Sequence, residues 1–179
     1  MNSAKVIIIG AGPVGTFVAY CLAEYGIETI LLESETSCET DMRASTFHPS
    51  TLKYLDNLNL ANELIDKGLK APIFQYRIRA TDEILEFNLE ELSDVLDFPF
   101  RLQCEQYKFA RMLADKLDNH KYSSVMFNRE LISFSDAGNK VKLKVDHKGI
   151  GEDYECDYLI GADGANSIVR RNLGIEFGG

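Results

Sequence analysis

Lys5-Val6-Ile7-Ile8-Ile9-Gly10-Ala11-Gly12-Pro13-Val14-Gly15, carried on to Glu33, is the stretch whose reading decides the fold. The β-branched run from Lys5 to Ile9 suits a strand buried on both faces of a parallel sheet. Gly10 and Gly12 interrupt it at once, and Pro13 stands where a helix can begin without its missing N–H. Val14, Val18, Cys21 and Leu22 then recur at helical spacing to about Tyr25, where Gly26 is expected to end the helix. Glu28 to Leu32 reads as a second strand that stops at Glu33. Strand, glycine turn, helix and strand within about thirty residues make a βαβ unit.

Gly10, Gly12 and Gly15 have the spacing of a dinucleotide-binding turn. Gly10 permits the sharp exit from the strand, Gly12 lets backbone approach a pyrophosphate, and Gly15 lets the helix pack closely. Pro13 and Val14 complete the turn as the first helical residues, and the free N–H groups of that helix end favour an anion. Glu33 can accept hydrogen bonds from both ribose hydroxyls, and its charge would repel a 2′-phosphate. These residues alone do not separate NAD from FAD.

Working outward, the 179 residues are 45% hydrophobic and 26% charged, as expected of a globular chain with a real core. The net charge of −9 argues against nucleic-acid binding, which needs clustered cations. No apolar run approaches the ~20 residues needed to span a bilayer. Cys21, Cys38, Cys104 and Cys156 form no CxxC pair and are expected to be reduced in a cytoplasmic setting. His48, His120 and His147 lack metal-ligand spacing, so no metal site is expected.

Ser34 to Thr46 reads as a polar loop, Pro49 to Leu58 and Ala61 to Lys67 as helices, and Gly68 to Pro72 as a break. Ile73 to Ala80 and Glu83 to Asn88 alternate apolar and polar residues, which predicts a hairpin with one wet face. Gln103 to Asn119 reads as a helix with Phe109, Met112, Leu113 and Leu117 in its apolar stripe. Strands are expected at Ser124 to Phe127, Glu130 to Ser135, Lys140 to Asp146 and Asp153 to Ile160. A short helix from Asn166 to Asn172 follows Gly161-Ala162-Asp163-Gly164.

Two further segments narrow the dinucleotide. Asp41-Met42-Arg43-Ala44-Ser45-Thr46-Phe47-His48-Pro49 resembles the loop after the second strand in the class A flavoprotein monooxygenases, the para-hydroxybenzoate hydroxylase family. Asp163-Gly164-Ala165-Asn166-Ser167-Ile168-Val169-Arg170 resembles that family's D-G-x-x-S-x-x-R motif, and Gln103 resembles its helix-opening glutamine. The resemblance implies an α/β, Rossmann-like FAD-binding fold with a parallel sheet, a β-meander crossover and part of a second, substrate-domain sheet. It implies FAD, with NADH or NADPH as co-substrate and with oxygen and a small aromatic compound as reactants. Arg43 would lie against the FAD, Gln103 on its ribitol side, and Asp163 and Gly164 near its pyrophosphate, with Arg170 bracing the motif. His48 is expected to be a helix-entry residue, and no acid or base is assigned.

The resemblance divides the chain into 1–72, FAD-binding; 73–100, a partial substrate-domain hairpin; and 101–179, an FAD-binding continuation. The family's later G-D motif does not occur, so the chain is expected to be an N-terminal portion. The expected activity is NAD(P)H-dependent hydroxylation of an aromatic or phenolic compound. A halogenase or reductase on the same fold, and an inactive truncated binding module, are the alternatives.

Overall fold

The computed structural model describes residues 2–38 and 44–178. The chain divides into two compact units, Met1–Asp41 with Phe109–Gly179, and Met42–Lys108. This partition differs from the three segments read from the sequence, whose boundaries fall at 72/73 and 100/101.

The first unit is built on a six-stranded sheet. Its strands are β1 (Asn2–Ile9), β2 (Thr29–Leu32), β8 (Ser123–Met126), β9 (Glu130–Asp136), β10 (Val141–His147) and β11 (Ile150–Gly161), in spatial order β8-β2-β1-β11-β10-β9. β8, β2, β1 and β11 run parallel, whereas β11, β10 and β9 form an antiparallel meander. The helices are α1 (Pro13–Glu24), α4 (Gln106–Asp118), which belongs to this unit from Phe109 onward, and α5 (Ile168–Asn172).

Alternation along β1 explains the two cores. Val6 and Ile8 turn to one face, where Ala19 and Ala23 of α1 pack with Ala110, Ala114 and Leu117 of α4. Ile7 and Ile9 turn to the other, beside Leu143, Val145, Tyr154 and Val169. Ile7 and Ile8 are fully buried, each worth ~1.5–3 kcal/mol of hydrophobic transfer. The expected double-faced burial of this strand is therefore met. α1 ends in a paired hydrogen-bond cap at Gly26, with Ile27 N–H on the Leu22 carbonyl at 3.0 Å and Gly26 N–H on the Ala23 carbonyl at 2.9 Å.

The second unit holds β3 (Thr46–Phe47), α2 (Pro49–Asp56), α3 (Ala61–Ile65), β4 (Leu69–Ala71), β5 (Ile73–Ile78), β6 (Glu83–Asn88) and β7 (Arg101–Gln103). β3, β7 and β4 form a small sheet that the sequence reading missed. By sequence alone Thr46 reads as the end of a loop and Gly68 to Pro72 as a break. Strands of two or three residues have no periodicity to read, and they exist only because β7 pairs on both sides.

Two expectations need correction here. Gln103 does not open a helix: it is the last residue of β7, paired with Thr46 and Leu69, and the helix starts at Gln106. The β5–β6 hairpin does not have a single wet face. Register puts Phe74, Tyr76, Ile78, Leu85 and Phe87 on one side, yet Tyr76, Ile78, Leu85 and Phe87 are all exposed. Phe74 and Phe87 stack at 5.0 Å with Tyr76 edge-on to both, so the apolar face is formed but uncovered. Among the described residues no helix is long and apolar enough to cross a membrane.

Candidate cofactor site

The strand order places a switch point between β1 and β11. From β1 the chain goes to β2 on one side, while β11 arrives on the other. Ligands of open α/β sheets bind in the crevice at the carboxyl ends of such strands. Two turns meet there: Gly10 to Gly15 after β1, and Ala162 to Gly164 after β11. Their register is tight, with Ile9 opposite Gly161 and Ala162 N–H donating to the Ile9 carbonyl at 2.8 Å.

The glycines answer to this geometry. Gly10 has φ +101, and a Cβ on it would stand 2.6 Å from the Ala162 carbonyl oxygen. A Cβ on Gly15 would be 1.9 Å from the Gly10 carbonyl oxygen, so α1 can seat on the turn only without one. Gly12 is different, since a Cβ there would meet nothing within 4 Å. That open space could serve a ligand as a cradle. Its floor is the start of α1, which carries Pro13 in its first turn, no capping side chain and no acidic residue there. Val14 is exposed at the same end. Uncapped amides at a positive dipole end suit a diphosphate.

Glu33 follows β2 on the same rim. Its Oε2 accepts from Ala11 N–H at 2.7 Å, and Oε1 accepts from Glu35 N–H at 3.0 Å and the Ser34 hydroxyl at 3.1 Å. The carboxylate is thereby aimed before any ligand arrives, with lone pairs left for hydroxyl donors.

Asp163 does something the motif alone did not disclose. Its Oδ2 accepts from the N–H groups of Ile168 and Val169 at 2.7 and 3.2 Å, tying the second turn to α5. Its Oδ1 is buried and has no hydrogen-bond partner among the described residues. That oxygen can take a hydroxyl hydrogen but would repel a phosphate. Ser167 caps α5 through Arg170 N–H at 2.9 Å, and Arg170 Nη1 donates to the Ala165 carbonyl at 2.7 Å, bracing the turn as expected. Gly164 follows at φ +74 with open space around it.

The first unit thus brings together Gly10, Gly12, Pro13, Val14, Gly15, Glu33, Asp163 and Gly164. Gln103 belongs to the second unit, where its Oε1 accepts from the Thr46 hydroxyl at 3.1 Å. Arg43 lies outside the described residues. His48 precedes α2 as the expected entry residue. Sequence reasoning missed Ala11 and Ala162, because both act through backbone atoms and carry no side-chain signal. Among the described residues no cluster of three or more His, Cys, Asp or Glu could hold a metal ion.

A family model described as "FAD binding domain" matches residues 3–179. The chain belongs to this family. FAD is accordingly the dinucleotide for which the domain is built, and the cradle, the uncapped helix end and the Glu33 carboxylate fit its pyrophosphate and ribose. The FAD-binding domain is 31% identical over 169 residues to 6-hydroxy-3-succinoylpyridine 3-monooxygenase of Pseudomonas putida, covering 94% of this chain and 43% of that protein. It is 25% identical over 174 residues to para-nitrophenol 4-monooxygenase of a Pseudomonas species, covering 97% and 43%. In fold it matches the crystal structure of p-nitrophenol 4-monooxygenase from Pseudomonas putida with a TM-score of 0.93, at 24% identity over 100% of this chain and 46% of that one. The chain therefore spans less than half the length of these relatives.

Proposed function

We propose that this FAD-binding domain serves an NADH- or NADPH-dependent monooxygenase that hydroxylates a small aromatic or phenolic compound with molecular oxygen. The observation that carries the cofactor half is the meeting of the Gly10 and Ala162 turns at the β1–β11 switch point, with Glu33 on its rim. The likeness to two aromatic-ring monooxygenases, one at 31% identity over nearly the whole chain, supports the reaction.

In this reading the α1 amides and Gly12 receive the pyrophosphate, and Glu33 takes the adenosine ribose hydroxyls. Asp163 shapes the second turn and offers Oδ1 to a hydroxyl, with Gly164 leaving the approach clear. Arg43 and Gln103 enter as further cofactor contacts by resemblance. When bound, FAD would supply the redox chemistry between a nicotinamide and oxygen. The uncovered apolar face of β5–β6 supports reading the hairpin as part of a substrate-domain sheet. The four free cysteines, three of them buried, support a cytoplasmic setting.

The test is a titration of the purified chain with FAD, followed by oxygen uptake with NADH or NADPH with and without phenols. Saturable flavin uptake and phenol-stimulated oxygen consumption are the expected results. A chain that takes up no FAD overturns the reading. Uptake without turnover under any phenol leaves the inactive binding module as the correct description.

A further inference from the structure

The rim that carries Glu33 is held from behind by a bracket that no motif marks. The turn joining β8 to β9 runs through Phe127, Asn128 and Arg129, with Asn128 at φ +56. Its backbone grips the Glu33 segment at three points. Glu33 N–H donates to the Met126 carbonyl at 3.0 Å, Arg129 N–H to the Glu33 carbonyl at 2.8 Å, and Asn128 N–H to the Glu35 carbonyl at 2.9 Å. Glu35 N–H in turn donates to the Glu33 carboxylate.

The turn is itself tied by one side chain. Arg129 Nη1 donates to the Phe127 carbonyl at 2.9 Å, while Nε and Nη2 reach the two Glu152 oxygens at 3.2 and 3.4 Å. Glu152 also accepts from the Tyr154 hydroxyl at 2.7 Å and lies 3.0 Å from His147 Nδ1. Tyr154 is almost wholly buried, so the cluster is anchored in the core and not adrift on the surface. The hydroxyl of Tyr154, the Arg129 charge and His147 together hold the Glu152 carboxyl below its ordinary value, keeping it an acceptor. A forked guanidinium on a carboxylate fixes direction as well as distance.

We infer that Arg129, oriented by Glu152, is a positioning residue for the adenosine ribose: it sets the turn whose amides hold the Glu33 and Glu35 main-chain carbonyls, and so the segment whose Glu35 N–H addresses the Glu33 carboxylate. This rests on the dinucleotide reading given above. The chain of contacts predicts that loosening Arg129 harms recognition of the ribose hydroxyls selectively, not the cradle for the phosphates.

The experiment compares ADP with 2′-deoxy-ADP by isothermal titration of the 179-residue chain, its Arg129→Ala, Arg129→Lys, Glu33→Ala and doubly substituted Arg129→Ala/Glu33→Ala variants. The unaltered chain is expected to prefer ADP by about tenfold, the size of one hydrogen bond to a charged group. Arg129→Ala should reduce that preference to within about twofold, and Arg129→Lys should restore part of it. In the Glu33→Ala background Arg129→Ala should cost nothing further, since coupled groups are not additive. Should Arg129→Ala fail to fold, Glu152→Gln keeps the side-chain shape, removes the charge that orients the fork, and should narrow the preference in the same direction. Equal losses for both nucleotides, full additivity, or an unchanged preference would overturn the inference while leaving the dinucleotide site standing. Binding of neither nucleotide by the unaltered chain overturns both.

Discussion

Gly12→Ala and Gly15→Ala differ by three positions and should fail in opposite ways. The Gly15 Cβ would lie 1.9 Å from a backbone carbonyl oxygen. A tolerable contact needs a retreat of roughly 1 Å by α1 or by the turn, and overpacking of this kind costs ~1–3 kcal/mol. With a urea slope of ~2 kcal/mol per molar, the unfolding midpoint should fall by ~0.5–1.5 M. Gly12 sits at φ −71 and ψ −179, ordinary for alanine, and its Cβ meets only open space. Its stability without FAD should stay within about 0.5 kcal/mol of the parent, a midpoint change of no more than ~0.25 M. The new methyl stands in the phosphate cradle, however, and FAD affinity should drop at least tenfold. FAD at a hundred times its dissociation constant raises the parent's stability by ~2.7 kcal/mol, and a tenfold weaker site keeps ~1.4 kcal/mol of that increment, a loss of ~1.3 kcal/mol. Urea melts with and without FAD measure both quantities on the same samples. A Gly12→Ala chain that keeps the full FAD increment, or a Gly15→Ala chain with the parental midpoint, refutes the reasoning.

Glu33→Gln keeps the side-chain size but removes the charge that Ala11 N–H and Glu35 N–H address; FAD affinity should fall by about tenfold in fluorescence titration. The Asp157 carboxyl is held down to about 2 by Lys140 and Lys5, whose Nζ atoms stand 2.6 and 2.8 Å away. Its folded value lies below the unfolded one, so its stabilisation is complete above about pH 5 and fades as pH falls toward 2. Urea midpoints of Asp157→Asn and the parent should differ at neutral pH and converge near pH 2. Burial pushes the thiols of Cys38 and Cys156 up to about 11, while Cys21 is less enclosed. Alkylation of the native chain at pH 8, read by peptide mass, should therefore label Cys21 before Cys38 or Cys156.

The βαβ unit was legible because its signals are local and agree with one another. A β-branched run, glycines at fixed spacing, Pro13 at the helix start and Gly26 at its end all lie within one stretch of chain. The meander was also legible, since turn residues from Asp136 to Asn139 and at Gly149 punctuate its strands, although Ile150 and Gly151 pair within β11. What escaped was anything decided by a distant partner. Gln103 precedes a helix in sequence, yet pairing with Thr46 and Leu69 draws it into a strand. Hairpin alternation marked β5 and β6 and implied one wet face, but whether the apolar side is covered depends on partners that local alternation does not record. At the site, side-chain motifs pointed to Gly10, Gly12, Gly15 and Glu33, whereas Ala11, Ala162 and the Arg129–Glu152 tie work through backbone or across strands. No spacing rule records those.

The placement of β11 beside β1 also has a consequence for the order in which the molecule assembles. β1 can find β2 soon after both are synthesised, but its other neighbour lies about 150 residues further on. Until that neighbour docks, Ile7 and Ile9 lack the meander side chains that cover them, and the crevice has one wall. On the proposed site, flavin would join two turns about 150 residues apart in sequence. If that distant pairing forms after the transition state, a ligand bound across the seam should slow unfolding more than it speeds folding.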